Sequence, residues 1–301
     1  MLIYTVSRDS LKNICYENKA CQITLTMQQQ VIRRWQLLDS LNLDEKIVVI
    51  TGGGTGLGLE MGRGLARAGA NIVLAGRRPE PIEQAAQEFR GMGLRSIAIP
   101  TDVTDSTQVN NLFSQTLKSF GKVDVLINNA GGGSGNKPIW EITDQEWHDG
   151  IDKNLTGAFY CCRAILKHMV EQESGKIINI SSGQGLRGQR GSFMYGCSKG
   201  GVIQLTRVIA ATYGPMGITS NCIVPGMIPI QNETQNNEPN KRLNFLPMGR
   251  AGTPQEMAPL ATFLASNASD YMNGEMLYCD GGALAGGAAI TGYGRNIQLD
   301  Y

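Results

Sequence analysis

From Lys46 onward, short runs rich in Val and Ile alternate with stretches whose apolar residues fall at helical spacing. The runs are IVVIT at 47–51, NIVLA at 71–75, SIAIP at 96–100, VDVLIN at 123–128, KIINIS at 176–181, ITSNCIV at 218–224 and EMLYCD at 275–280. A run that is apolar throughout, rather than at alternate residues, suits a strand buried on both faces. Strands separated by helices are parallel neighbours, because a parallel pair needs a crossover. The pattern therefore predicts an α/β fold: a single doubly wound domain with a parallel seven-stranded sheet. Helices are expected at about 57–69, 80–91, 105–120, 143–172, 193–213 and 254–266, by apolar periodicity. The domain spans 46–282, flanked by an extension at 1–45 and a Gly/Ala-rich tail at 283–301. Residues 1–26 are polar and aperiodic, whereas Val31, Trp35 and Leu38 fall at helical spacing after Met27, which makes Met27 a candidate start and 1–26 dispensable.

Composition narrows the function. Lys and Arg number 27 against 26 Asp and Glu, so no global field is available to hold a nucleic acid or an anionic membrane surface. The 38 glycines cluster without a period of three, which excludes a collagen-like chain. No stretch approaches the ~18 apolar residues of a membrane span, and Met1–Met27 has no signal-peptide core. Seven cysteines, an odd number with no CxxC, are expected to be reduced thiols in the cytoplasm. Cys197 is expected to be a packed thiol. His148 and His168, the only histidines, lie in no metal-ligand spacing and are expected on helix surfaces with no catalytic metal.

TGGGTGLG at 51–58 follows a strand and opens a helix. In that context Gly52, Thr55, Gly56, Leu57 and Gly58 form a loop whose backbone approaches a pyrophosphate at a helix N-terminus. Farther on, Tyr195 and Lys199 stand at i and i+4 of a predicted helix, which stacks phenol and ammonium on one face. Ser182 lies at the C-terminal end of a strand, the sheet edge at which such folds bind ligands. Reduction of a ketone needs a proton for its oxygen as hydride reaches carbon, and Tyr195 is the candidate acid/base. The Lys199 ammonium, with a positive nicotinamide, is expected to lower the phenol pKa, and Ser182 to hydrogen-bond the reacting oxygen.

These features, with Asp102-Val103, Asn128-Asn129-Ala130-Gly131, Asn154 in KNLTG, YGCSK at 195–199 and Pro225-Gly226, resemble the short-chain dehydrogenase/reductase family over about 46–282. The resemblance is to its single-domain 3-oxoacyl reductase, sugar dehydrogenase and alcohol dehydrogenase type, with a Rossmann-type sheet. It implies that Asp102 and Val103 meet the adenine, that Asn128 braces the sheet beside the cofactor with Ala130 and Gly131 next to it, and that Tyr195 and Lys199 contact the nicotinamide ribose. It further implies a proton relay through the Asn154 backbone carbonyl. Pro225, Gly226 and the Ile228 N–H would serve the carboxamide, whereas Ile230 stands where the family carries a Thr.

Where NAD-specific relatives place an acidic residue after the second strand, this chain has Gly76, Arg77 and Arg78. Two guanidiniums suit a 2′-phosphate, so NADP(H) is the expected cofactor, with Arg77 the main contact, Arg78 secondary, and NAD(H) the alternative. Thr55 stands where some NADP-preferring relatives carry a basic residue. Residues 227–250 are expected to cover the substrate; Arg187 and Arg190 could reach a substrate carboxylate, but two arginines in a Gly-rich loop are more often solvated. The leading function is nicotinamide-linked interconversion of a secondary alcohol and a ketone of sugar, polyol, 3-oxoacyl or alicyclic type, by a homotetramer. The alternatives are a catalytically silent NAD(P)-binding redox sensor or partner-binding protein, and a nucleotide-sugar epimerase or dehydratase, which would carry a larger C-terminal domain than 283–301.

Overall fold

The computed structural model describes residues 39–133, 137–229 and 246–286. The segment Met1–Asn42 is a unit of its own, of which only 39–42 are described, so the extension around Met27 lies outside the described residues. The second unit, Leu43–Tyr301, carries the sheet.

Its strands are β1 (Ile47–Thr51), β2 (Asn71–Gly76), β3 (Ser96–Pro100), β4 (Val125–Asn128), β5 (Gly175–Ile180), β6 (Ile218–Pro225) and β7 (Met276–Cys279). The helices are α1 (Gly56–Arg67), α2 (Pro79–Gly91), α3 (Ser106–Phe120), α4 (Asp144–Ile151), α5 (Gly157–Glu171), α6 (Phe193–Tyr213) and α7 (Ala258–Ala265). All seven strands pair in parallel in the order β3-β2-β1-β4-β5-β6-β7.

Each strand alternates its side chains between two helical layers. Val48 and Ile50 of β1 join Met61, Leu65, Phe89 and Leu264 on the face covered by α1, α2 and α7. Ile47 and Val49 join Leu112, Phe113, Ile165 and Ile209 on the face covered by α3, α5 and α6. Burial on both sides is why β1 reads as an unbroken apolar run, with all five of its residues buried. β7, at the sheet edge, is mostly half-buried.

The helix expected over 143–172 runs without a gap from Asp144 to Glu171, with a π turn between the stretches labelled α4 and α5. Thr143 caps α4 in a reciprocal capping box with Glu146, and a π turn at Asp152–Thr156 precedes α5. Asn154 Nδ2 donates to the Gly150 carbonyl at 2.9 Å, the acceptor that regular helix would give to the Asn154 backbone N–H. The helix expected over 254–266 begins likewise as a 3₁₀ turn at Pro254–Met257.

Candidate active site

The connections from β1 and β4 leave the sheet in opposite directions, so a crevice opens at the C-terminal ends of these neighbours. A cleft of about 1090 Å³ occupies it. Thr51 and Asn129 join its two sides. The Thr51 hydroxyl accepts from the backbone N–H groups of Asn129 (3.1 Å) and Ala130 (3.0 Å), and Asn129 Nδ2 donates to the carbonyls of Thr51 (3.0 Å) and Gly52 (3.1 Å). Gly52 has φ +64°, and a Cβ there would lie 2.9 Å from Asn129 Nδ2 and 3.1 Å from the Ala130 Cα.

Gly52, Thr55, Gly56 and Leu57 line the cleft. Thr55, the N-cap of α1, makes no capping hydrogen bond with its side chain, so the first N–H groups of the helix open onto the cleft without a side-chain partner. Gly58 does not line it. A Cβ at Gly58 would sit 2.3 Å from the Gly52 carbonyl oxygen, so this glycine seats the helix against the loop.

At the ends of β2 and β3 the lining is Gly76, Arg77, Arg78, Asp102 and Val103. Both arginines are exposed, and among the described residues neither guanidinium has an acidic partner. Asp102 Oδ1 accepts from the N–H and hydroxyl of Thr104, at 3.0 and 2.8 Å. Ala130 and Gly131 line the cleft beyond β4, but Asn128 does not. Its Nδ2 donates to Asn179 Oδ1 at 2.9 Å and to Cys162 Sγ at 3.3 Å, bracing β4 against β5 and α5. Pro225, Gly226 and Ile228 complete the wall after β6. Ile230 and the centre of the covering segment, 230–245, lie outside the described residues.

Ser182, Tyr195 and Lys199 all line the cleft, beyond β5 and on the first turns of α6. The loop after β5 lies so close to α6 that a Cβ at Gly185 would be 2.7 Å from the Lys199 carbonyl oxygen. Lys199 Nζ donates to the Ile180 carbonyl at 2.8 Å and lies 5.6 Å from the centre of the Tyr195 ring. Asn154 is buried behind the lining. Its Oδ1 accepts from Gly132 N at 2.9 Å and its Nδ2 donates to Gly132 O at 3.0 Å, holding the segment after β4 that passes Lys199. A Cβ at Gly131 would lie 2.6 Å from Asn154 Oδ1.

Burial lowers the Lys199 pKa to about 8, with Lys153 adding to the effect and Cys222 opposing it. Burial raises the Tyr195 pKa, and the Ser182 hydrogen bond offsets part of that. These shifts belong to the chain without the positive nicotinamide that the expected depression of the phenol also invokes. The ammonium is directed at a β5 carbonyl and faces the ring. Arg187 does not line the cleft and donates to the Ala283 carbonyl at 3.2 Å, while Arg190 is exposed. His148 is exposed as expected, but His168 is half-buried, with Nε2 unpartnered among the described residues. Cys197 is exposed, contrary to its expected packing, because it falls on the outer side of α6.

A family model described as short chain dehydrogenase matches residues 46–241. The chain belongs to the short-chain dehydrogenase family. It is similar to a 3-oxoacyl-[acyl-carrier-protein] reductase of Chlamydia muridarum, 35% identical over 243 residues, which cover 80% of this chain and 98% of that protein. It is also similar to a 5-keto-D-gluconate 5-reductase of Escherichia coli K12, 35% identical over 250 residues covering 82% and 98%. Among solved structures, a gluconate 5-dehydrogenase from Burkholderia cenocepacia in complex with NADP and tartrate superposes with a TM-score of 0.78. That pair is 35% identical, covering 83% of this chain and 99% of the other. The protein is accordingly an oxidoreductase that uses a nicotinamide cofactor to interconvert an alcohol and a ketone. No helix among the described residues is long and apolar enough to cross a membrane.

Sequence reasoning passed over Thr51, Asn129, Ser181 and Lys153 as site residues, although all but Thr51 line the cleft. Thr51 and Asn129 had a signal, since they stand inside the two quoted motifs; Ser181 and Lys153 had none beyond adjacency to Ser182 and Asn154.

Proposed function

We propose that this short-chain dehydrogenase reduces a polar ketone, of the keto-sugar or polyol type, with NADPH, and runs the reverse oxidation with NADP⁺. The observation that carries the reading is that Ser182, Tyr195 and Lys199 line the same cleft as the glycine loop. The substrate class is supported by the names of the keto-gluconate and gluconate relatives.

The cleft fits a dinucleotide. The uncapped start of α1, with Gly52 and Gly56 beneath it, suits a pyrophosphate, and Arg77 with Arg78 suits the 2′-phosphate of NADP. Asp102 and Val103 would border the adenine, Ala130 and Gly131 the ribose, and Pro225, Gly226 and Ile228 the carboxamide. When bound, the nicotinamide would supply the hydride for reduction and accept it in oxidation, and its oxidised ring would carry positive charge. Ser182 donates a hydrogen bond to the substrate oxygen, holding the carbonyl and offsetting charge as it develops. Tyr195 gives its phenolic proton to that oxygen. Its raised pKa keeps the phenol protonated at neutral pH, the form that reduction needs. Lys199 holds the ribose and, as an ammonium, favours the phenolate that remains. Asn154 fixes Gly132 and offers its backbone carbonyl to a water that returns a proton from solvent.

The domain boundaries at 46 and 282, a cytoplasmic setting and a homotetramer belong to the same proposal. Reduced surroundings are supported by the five described cysteines, all of them free thiols. Assembly is supported by Phe159 on α5 and Val208 on α6, apolar residues 44% and 52% exposed. The test is a panel of keto sugars, 3-oxoacyl thioesters and cyclic ketones followed by nicotinamide absorbance. Tyr195→Phe should abolish turnover and leave NADPH affinity within a few fold; turnover within tenfold of the parent would overturn the role given to Tyr195.

A further inference from the structure

Lys199 is 4% exposed, and two consecutive residues of the β5 terminus grip it at both ends. The Ile180 carbonyl accepts from Nζ at 2.8 Å, and the Ser181 hydroxyl donates to the Lys199 main-chain carbonyl at 2.8 Å. Ser181 is itself 3% exposed. A carbonyl within α6 already serves its own helix, so the serine takes the second lone pair and ties the helix backbone to the strand. A separate tie between the same strand and helix, Asn179 Nδ2 to Thr206 Oγ1 at 2.9 Å, lies two turns farther along α6 and does not touch Lys199.

We propose that Ser181 is a positioning residue for Lys199: its hydroxyl fixes the height of α6 against the end of β5, which places the ammonium at the Ile180 carbonyl and over the Tyr195 ring. The inference rests on the proposed roles of Tyr195 and Lys199. Because Ser182 is the next residue, the same tie sets the separation of Ser182 from Tyr195. The titratable groups facing the ammonium are Tyr195 on its own helix, Cys222 on β6 and Lys153 on the π turn. Loss of the Ser181 tie should therefore change the field at Tyr195.

Ser181→Ala, Ser181→Cys, Ser181→Thr and Thr206→Val in the full chain test this. The readouts are NADPH affinity by fluorescence titration, kcat and its pH profile on a ketone turned over in the panel, and the unfolding midpoint. Ser181→Ala should lose roughly 10- to 100-fold in kcat, the cost of a displacement of about 1 Å at a reacting centre. It should also weaken NADPH several fold and raise the pH at which the Tyr195-dependent limb titrates. Ser181→Cys, which fills the same space with a weak donor, should follow it, and Ser181→Thr should recover most of the loss. Thr206→Val should lower the unfolding midpoint and leave the pH profile unchanged. Parental affinity, kcat and pH profile in Ser181→Ala, or in Ser181→Cys should the alanine variant not fold, would overturn the proposal, as would a lowered unfolding midpoint alone. A parent without turnover on the whole panel would defeat the underlying reading instead, and the NADPH titration would still decide the positioning role.

Discussion

Replacing Lys199 by Met should alter the pH dependence of folding stability in a direction that the burial of this ammonium dictates. In the folded chain its pKa falls from an ordinary 10.5 to about 8, because burial disfavours the charged form. Between those values the unfolded chain binds more protons than the folded one, so the stability of the parent rises with pH across the window. The full shift corresponds to about 3 kcal/mol, of which about 2 kcal/mol is recovered between pH 7 and pH 9.5. Met is nearly isosteric, carries no charge and has no such term. At pH 7 it gains the ~3 kcal/mol of relieved burial and loses ~1–3 kcal/mol with the unpaired Ile180 carbonyl, so the two proteins are similar there or the variant is slightly more stable. Urea unfolding of both proteins at pH 7, 8, 9 and 9.5 isolates the difference, since every other titrating group cancels. The parent should gain about 2 kcal/mol on the variant over that range. A difference that stays flat, or that moves in favour of Met as pH rises, would refute the reasoning that Lys199 is a buried ammonium in the folded chain.

Other outcomes are equally specific. Arg77→Ala should weaken NADPH by roughly 10- to 150-fold, the loss of a charge-assisted contact of ~1.5–3 kcal/mol, and leave NADH nearly unchanged; equal losses in isothermal titrations would show that Arg77 does not read the 2′-phosphate. Gly58→Ala drives a Cβ to 2.3 Å from the Gly52 carbonyl, and should cost about 1–3 kcal/mol in thermal unfolding along with dinucleotide affinity. Light scattering at micromolar concentration should give a tetrameric mass; a monomer would reject the assembly inferred from α5 and α6.

Strand positions were legible because burial on both sheet faces leaves a contiguous Val/Ile signature that needs no tertiary information. β1 and β3 fall where the runs lie, and the others differ by a residue or two at their ends. The glycine loop and the Tyr195/Lys199 pair were legible for a related reason, since turn chemistry and the i, i+4 repeat are local properties of the chain. Local spacing does not say what a side chain meets across the fold. The π turn at Asp152–Thr156 carries Asn154, whose side chain bonds the Gly150 and Gly132 carbonyls, and Gly132 lies 22 residues away. The resemblance makes Asn128 a brace of the sheet beside the cofactor, but only the fold supplies its partners, Asn179 on β5 and Cys162 on α5.

The charge state of the reacting pair shows the same division. From sequence, Lys199 beside Tyr195, with a positive nicotinamide, implies a lowered phenol pKa. The folded chain by itself turns the ammonium to Ile180, buries both groups, and raises the phenol while lowering the amine. Residue type and spacing specify which groups can react. Their ionisation depends on desolvation and on distances between β5, β6 and α6, segments that meet only when the sheet closes, and that is why the direction of the Tyr195 shift could not be read from the sequence.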